Sequence, residues 1–274
     1  MRAYVPLIVL GVVAASGAGY WFATGGIPPT EERAGWVEGA QIAHRGLHTD
    51  DGRQPENSLS AFREALRKDF PIELDVHLSS DGEVVVFHDE TLERMTGDPR
   101  ALSEVTAGDL AGLRLLDSDE RIPTLREVLD LIEGDVPLLI EIKNRDGEVG
   151  PLENAVLREL ANYRGEVAIQ SFNPFSLAAV RDGDPLIPRG QLASRFEGEN
   201  LAAYEVLALR SLLMNWKSRP HFIAYELDAL PTLGTRLQQI RGRLLIGWTA
   251  TSPEEMERAA VLCDGVIFGP GAVE

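Results

Sequence analysis

Acidic side chains interrupt apolar segments in the first half of this 274-residue chain. Glu73 and Asp75 alternate with apolar residues, so on a strand their side chains point to the same face. Two carboxylates on one buried face repel each other by roughly 3–4 kcal/mol at an effective dielectric of about 20. A bound cation would remove this repulsion. The pair therefore predicts a site for a hard divalent ion, with a solvated strand face as the alternative.

Three further sites combine the end of an apolar segment with unusual polarity. His44 and His88 each follow directly after a β-rich run, and Glu141 and Lys143 end another. Imidazoles exchange protons near neutral pH, which suits acid–base catalysis, although a single histidine is more often structural. Polar groups at buried positions need partners. Taken together, the sites predict a cluster of carboxylates and imidazoles around a cation.

The elements that must position this cluster are short apolar segments alternating with helical ones, which predicts repeated βα units. The predicted strands are 41–43, 72–78, 136–142, 167–170, 190–193, 222–224, 244–248 and 265–268. The predicted helices are 58–68, 125–132, 152–163, 174–181, 201–213, 233–240 and 253–262. Eight units close a (βα)8 barrel, in which chemistry is located where strands end and loops begin.

One connection is longer than the others. Asp81-Gly82 is a hairpin signal, and a second β-rich run, 83–87, follows it. The polar stretch 88–123 then precedes the next helix. Loops of this length at a barrel mouth usually carry function, so we expect 88–123 to border the site.

The order of these motifs resembles the glycerophosphodiester phosphodiesterase family. The motifs are His44-Arg45-Gly46, Pro55-Glu56-Asn57, Glu73-Leu74-Asp75-Val76, Asp81-Gly82, His88-Asp89 and Glu141-Ile142-Lys143. The similarity extends from about Ala40 to about Pro270, and it is most specific in the first hundred residues of that span. It implies a (βα)8 TIM barrel with a short insertion after the second strand. The segment 264–270 departs from members that carry Thr-Asp after the isoleucine.

The resemblance implies a metal site. Glu73, Asp75 and Glu141 match the ligand positions, and Glu56 is implied as a further ligand or as an acceptor behind the ligands. The implied cofactor is a divalent cation, Ca²⁺ or Mg²⁺. The hard oxygen donors agree with this choice, whereas zinc would call for cysteine or clustered histidine.

The resemblance also implies an activity, the hydrolysis of glycerophosphodiesters to glycerol 3-phosphate and an alcohol. His44 and His88 correspond to the acid–base pair. Arg45 and Lys143 would bind the phosphate oxygens, and Trp248 would line the substrate pocket. A cyclic phosphate intermediate and direct attack by water both stay open.

Two other functions compete with this one. The first is a lysophospholipase D that acts on membrane lysophospholipids, and an exposed apolar rim in 88–123 would favour it. Candidates for such a rim are Leu110, Leu113, Leu115 and Leu116. The second is an inactive barrel that serves as a binding module, which the intact catalytic motifs disfavour. The three carboxylates likewise disfavour a metal-independent phospholipase C.

The composition excludes some partners. The chain has 43 Asp and Glu against 26 Lys and Arg, a formal net charge of −17, which argues against nucleic acid as a partner. Cys263 is the single cysteine, so no intrachain disulfide can form. No motif implies a protein partner.

The N-terminus predicts a membrane segment. Residues 4–24 carry no charge, and a helix of this length can cross about 30 Å of hydrocarbon. We therefore predict a membrane anchor or signal segment with its linker in 1–30 and the barrel in 36–274. An uncleaved anchor would hold the catalytic domain outside the cytoplasm. A cleaved secretory signal is the alternative.

Overall fold

Eight parallel strands close into a barrel in the computed structural model, which describes residues 17–27, 34–144 and 148–273. The ring order is β1-β9-β8-β7-β6-β5-β4-β2, and β1 pairs with β2 to complete it. The strands are β1 (Gln41–Ala43), β2 (Ile72–Leu78), β3 (Val84–Val86), β4 (Leu138–Ile142), β5 (Val167–Ser171), β6 (Arg189–Ala193), β7 (Phe222–Glu226), β8 (Leu244–Ala250) and β9 (Gly265–Phe268). This confirms the predicted (βα)8 barrel. β3 lies outside the ring and pairs antiparallel with β2.

Helices cover the outside of the barrel. They are α1 (Leu59–Arg67), α2 (Glu93–Thr96), α3 (Ala107–Leu110), α4 (Leu125–Ile132), α5 (Pro151–Leu160), α6 (Pro174–Gly183), α7 (Ala203–Arg210), α8 (Asn215–Ser218), α9 (Leu233–Ile240) and α10 (Pro253–Leu262). Short 3-10 turns lie at Gly35–Val37, Leu102–Glu104 and Leu227–Ala229. The helix predicted over 201–213 is shorter than expected because Leu212 adopts φ +59°, which ends the helical path.

Residues on alternate sides of each strand form two apolar layers. Ile72, Leu74 and Val76 of β2 pack in the layer shared with the helices. Leu139 of β4 belongs to the second layer, inside the barrel, with Phe222 and others. Because side chains alternate along a strand, Glu73, Asp75 and Glu141 lie on the inward faces of β2 and β4.

The insertion after β2 has a small core of its own. Leu110 and Leu115 are buried in it, and Leu113 packs against it. Leu116 is 42 % exposed. Leu110, Leu113 and Leu115 therefore pack in the core of the insertion and do not form the exposed apolar rim considered above.

The N-terminal segment contacts the end of the barrel where the strands begin. The Ile27 amide donates to the Pro220 carbonyl over 2.9 Å, and Gln238 Nε2 donates to the Thr24 carbonyl over 3.0 Å. Within the described ranges, which include a short helix at 17–23, no helix is long and apolar enough to span a bilayer. Most of the predicted anchor, residues 4–16, lies outside the described residues.

Candidate active site

Three carboxylates meet at the rim where the strands end. β2 and β4 are neighbours, and their register sets Asp75 beside Glu141 and Glu73 beside Leu139. One oxygen from each of Glu73, Asp75 and Glu141 lies within 4.8 Å of the others, and all three residues are buried. The strand order thus brings together residues that are more than sixty positions apart in the chain.

The electrostatics of this group fit a hard divalent cation. Burial and the charges of Asp75 and Glu141 raise the pKa of Glu73 well above its usual range. Three buried carboxylates therefore do not all carry their charge easily without added positive charge. Their oxygens are the donors that Ca²⁺ and Mg²⁺ prefer, so these residues could hold such an ion.

Two cationic side chains border the carboxylates. Lys143 Nζ lies 3.0 Å from Asp75 Oδ1 and 2.7 Å from Glu141 Oε1. Arg45 Nε lies 3.2 Å from Asp75 Oδ2, and the Arg45 amide donates to Glu73 Oε2 over 3.1 Å. Burial opposes ionisation of Asp75, but the charges of Lys143 and Arg45 outweigh it and lower the pKa of Asp75. Both predicted phosphate-binding residues thus lie at the carboxylate cluster.

Two amide side chains orient the carboxylates. Asn57 Nδ2 donates to Asp75 Oδ2 over 2.8 Å, and Gln170 Nε2 donates to Glu73 Oε1 over 3.2 Å. Asn57 belongs to the motif Pro55-Glu56-Asn57, but the sequence gives it no role of its own. Gln170, at the end of a predicted strand, is a candidate to line the pocket. Its contact with Glu73 follows only from the register, which sets it beside Glu141.

The loops that carry these side chains adopt left-handed backbone. Arg45 and Asn57 both have φ +55°, and the Asn57 amide donates to the Arg45 carbonyl over 2.9 Å. Gly46 has φ +79°, and a Cβ there would lie 2.8 Å from the Phe62 ring. Non-glycine residues in this region carry strain, which tends to be stored at functional sites. Gly46 is therefore needed both for its left-handed backbone conformation and for the close approach of Phe62.

The two predicted catalytic histidines line one cavity. It has a volume of about 270 Å³ and is bounded by His44, Arg45, Glu73, His88, Glu141, Lys143, Gln170, Phe172 and Trp248, among others. Burial lowers the pKa of His44 well below its usual range and lowers that of His88. In the absence of an anionic ligand both imidazoles are therefore favoured in the neutral form, which can accept a proton.

His88 is oriented by its neighbours. Its Nδ1 lies 2.6 Å from Asp89 Oδ1, and Arg94 Nε donates to Asp89 Oδ2 over 2.6 Å. The His77 ring contacts the His88 carbonyl, with 3.0 Å between Nε2 and the oxygen. With Nδ1 bound to a carboxylate, Nε2 is the nitrogen left for chemistry in the cavity.

Glu56 lies apart from the group of three carboxylates. Its Oε1 accepts from Arg45 Nη1 over 2.9 Å and from Arg94 Nη2 over 2.6 Å, and its Oε2 accepts from Arg94 Nη1 over 3.2 Å. Glu56 was predicted either as a further metal ligand or as an acceptor behind the ligands, and these contacts with two arginines favour the second role. Sequence reasoning missed Arg94, whose five-residue spacing from Asp89 gives no signal before the insertion is folded.

Trp248 borders the same cavity. Its ring meets that of Phe172 edge to face, with the centroids 5.7 Å apart. Among the residues that the structure describes, neither Trp248 Nε1 nor Gln170 Oε1 has a hydrogen-bond partner, although both atoms are buried. Buried polar atoms without partners are costly, so both are suited to meet a polar ligand.

The sequence profile of the Glycerophosphoryl diester phosphodiesterase family matches residues 44–269, a span that contains every side chain of this site. The chain belongs to this family. The resemblance seen in the sequence motifs is thereby confirmed, and the family assignment makes the chain a phosphoric diester hydrolase.

Individual members of the family agree with the profile. A glycerophosphodiester phosphodiesterase from Caldanaerobacter subterraneus is 33 % identical over 82 % of this chain and 92 % of its own length. The crystal structure of a glycerophosphodiester phosphodiesterase from Thermotoga maritima is 29 % identical, with a TM-score of 0.64 over 84 % of this chain and 94 % of that one.

A third relative supports the fold alone. An Oleispira antarctica phosphodiesterase, solved with the product sn-glycerol-3-phosphate, is 23 % identical. Its TM-score is 0.71 over 86 % of this chain and 95 % of that one.

Proposed function

We propose that this enzyme hydrolyses glycerophosphodiesters to glycerol 3-phosphate and an alcohol, with Ca²⁺ or Mg²⁺ held by Glu73, Asp75 and Glu141. The observation that carries the proposal is the meeting of these carboxylates within 4.8 Å, beside a cavity that two imidazoles line. The activity that gives the Caldanaerobacter relative its name supports the choice of substrate.

The cationic side chains explain how a diester would be held. Arg45 can bind two phosphate oxygens through its planar guanidinium, and Lys143 supplies a compact charge. Both line the cavity, although each is also paired with a carboxylate. A bound divalent cation supplies further positive charge at the phosphoryl oxygens. Trp248 Nε1 and Gln170 Oε1, which have no partner among the described residues, are placed to form hydrogen bonds with the hydroxyl groups of the substrate.

The imidazoles account for proton transfer. One accepts the proton of the attacking group, either water or the glycerol hydroxyl whose cyclic phosphate water then opens, and the other donates a proton to the departing alkoxide. Groups positioned in this way typically contribute about 10²–10⁴-fold to the rate. Asp89 stabilises the positive charge that forms on His88 when its ring is protonated, because the carboxylate is 2.6 Å from Nδ1.

A substrate panel tests the activity directly. The panel is glycerophosphocholine, glycerophosphoethanolamine and lysophosphatidylcholine, each assayed with Ca²⁺, with Mg²⁺ and with a chelator. We expect metal-dependent release of the alcohol from the first two. Unchanged turnover in the chelator would contradict the metal role, and no turnover of any diester with either ion would contradict the activity.

Substitution of the two histidines tests the acid–base roles. His44→Ala and His88→Ala should each lower kcat by at least about 100-fold, because each removes a proton-transfer group. Rates should be measured beside circular dichroism and metal titration, which should stay close to wild type. Full activity in either variant would remove that histidine from the mechanism.

For the N-terminus we propose an uncleaved anchor at 4–24 that holds the catalytic domain outside the cytoplasm. Its uncharged length and the aromatic residues Tyr20, Trp21 and Phe22 support this proposal. N-terminal sequencing of the protein from washed membranes tests it. A mature chain that begins after residue 17 and leaves the membrane fraction would show the alternative, a cleaved secretory signal.

A further inference from the structure

Three arginines lie together at the end of the barrel where the strands begin. Arg219 precedes β7, and Arg241 and Arg243 lie between the end of α9 and the start of β8. Burial and the charges of Arg241 and Arg219 lower the pKa of Arg243 to about 10, so the three positive charges are close to one another. We call these three residues the arginine cluster. It is at the opposite end of the strands from the catalytic carboxylates.

The arginine cluster is not neutralised within the described part of the chain. None of its members forms an ion pair there, although Asp and Glu outnumber Lys and Arg by 43 to 26. Arg243 is 6 % exposed, and its Nε and Nη1 have no hydrogen-bond partner in that part of the chain. Arg219 and Arg241 are only partly buried, so the cluster reaches the surface. Buried guanidinium nitrogens without partners are costly, and an anion beside them would reduce that cost.

The N-terminal segment is held against the arginine cluster. Arg241 Nη1 donates to Thr24 Oγ1 over 2.7 Å, and Arg241 Nη2 donates to the Trp21 carbonyl over 2.8 Å. Arg243 Nη2 donates to the Gly26 carbonyl over 2.7 Å. A Cβ at Gly26 would lie 2.6 Å from Arg243 Nε, so the chain passes the cluster in close contact. The predicted anchor therefore joins the barrel at a fixed place and is not a free tether.

Exposed apolar side chains adjoin the arginine cluster. Trp21 is 56 % exposed and Phe22 is 67 % exposed, and Ile240, next to Arg241 in the chain, is 80 % exposed. The Arg241 guanidinium lies over the Trp21 ring, 3.5 Å from its centroid. Aromatic and aliphatic side chains with cations beside them suit the headgroup layer of a bilayer, where the apolar groups reach the acyl chains and the cations bind phosphates.

We propose that the arginine cluster, with Trp21 and Ile240 beside it, binds the phosphate groups of anionic phospholipids and seats the barrel on the bilayer. This inference rests on the proposed anchor and not on the proposed hydrolysis. Two observations select a bilayer as the partner. The uncharged residues 4–16 directly precede the helix at 17–23, which is fixed beside the cluster. The positive charge of the cluster, in a chain with a net charge of −17, is complementary to anionic lipid.

Fluorescence quenching at the two ends of α9 tests the seating, with the full chain reconstituted in vesicles. In a Cys263→Ala background, a fluorophore at Ile240→Cys reports on the face beside the cluster. One at Leu233→Cys, which is 88 % exposed, is the matched control at the other end of the helix. Nitroxide-labelled phospholipids quench a fluorophore that lies at the headgroup layer. The vesicles are phosphatidylcholine alone, or equal parts of phosphatidylcholine and phosphatidylglycerol.

With phosphatidylglycerol, quenching should be at least about twofold stronger at position 240 than at position 233, because the eight residues of α9 span about 12 Å. The difference should be smaller in phosphatidylcholine alone. Arg219→Glu should remove most of it, since each basic residue near an anionic surface strengthens the attraction about fivefold. Arg114→Glu makes the same charge change in the insertion after β2 and should keep the wild-type quenching.

Equal quenching at the two positions, no dependence on phosphatidylglycerol, or a difference that survives Arg219→Glu would each overturn the inference. Hydrolysis of glycerophosphocholine in the same vesicles should be unaffected by Arg219→Glu, so the proposed hydrolysis is tested separately. If the protein leaves the vesicles in an alkaline wash, the proposed anchor is wrong and the inference falls with it.

Discussion

The His88 imidazole is held by a chain of charged side chains that continues to the first motif. Asp89 binds its Nδ1, Arg94 binds Asp89, and Glu56 accepts from both Arg94 and Arg45. A carboxylate at Nδ1 fixes the tautomer and the orientation of the ring, which is how an acid–base group is made ready. The insertion and the first loop are thus connected through Arg94 and Glu56, and His88 lies at one end of this chain of contacts.

Asp89→Asn should lower kcat by roughly 10–100-fold with little change in KM, because an amide can present its N–H group to Nδ1 and no longer stabilises the protonated ring. Arg94→Ala should lower kcat by a smaller factor. Arg100→Ala is the matched control, since Arg100 lies in the same insertion but pairs with Asp98 at the surface. Steady-state kinetics check the prediction, and an unchanged kcat in Asp89→Asn would show that the contact does not assist catalysis.

The sequence predicts that these acidic, basic and imidazole side chains meet at one site because their types and their spacing at strand ends are local features. Glu73 and Asp75 share a strand, and Lys143 directly follows another. The supporting residues were not predictable in this way. Gln170 on β5 meets Glu73 on β2 over the intervening strand β4, and Arg94 meets Glu56 only when the insertion folds back over the first loop.

At the level of elements, local start and stop signals account for most of the helices and strands. α4, α9 and α10 have the predicted bounds, because a capping hydroxyl or Pro fixes where each begins. The insertion was predicted only as a polar loop. Its short helices α2 and α3 are stabilised by a small core whose members come from distant positions, so periodicity did not reveal them.

Thr124→Ala tests one of these start signals. Thr124 Oγ1 accepts from the Glu127 amide over 3.2 Å, and Glu127 Oε2 accepts from the Thr124 amide over 2.7 Å. Loss of such a cap costs about 1 kcal/mol, so we expect the free energy of unfolding to fall by about that amount. Denaturant titration measures it. Ser103→Ala, at an exposed position, should have no effect, and an equal loss in both variants would contradict the assignment of the cap.

At the scale of the whole molecule, the two ends of the barrel have different partners. The carboxylates and histidines lie where the strands end. The N-terminal segment contacts Pro220, two residues before β7, and Arg243, which directly precedes β8. If residues 4–24 anchor the chain in a bilayer, the catalytic mouth faces away from that bilayer. Substrates would then enter from the aqueous phase.

Energy transfer to a labelled bilayer tests this orientation. In a Cys263→Ala background, Asp182→Cys places a dye near the end of α6, on the side of the N-terminal segment. Glu254→Cys places one at the start of α10, on the side of the mouth. A ten-residue helix is about 15 Å long, so transfer in proteoliposomes should be clearly stronger from position 182. Stronger transfer from position 254 would show the reverse orientation.

Metal binding by the carboxylate cluster is the claim on which the account depends most. Calorimetric titration of chelator-treated protein with Ca²⁺, and separately with Mg²⁺, should show one ion per chain. Glu73→Gln should weaken binding at least about tenfold, because it removes a ligand from a group of three. Glu83→Gln, at an exposed position, should bind as wild type does. Equal affinity in wild type and Glu73→Gln, or a fully active wild-type enzyme that binds neither ion, would contradict the account.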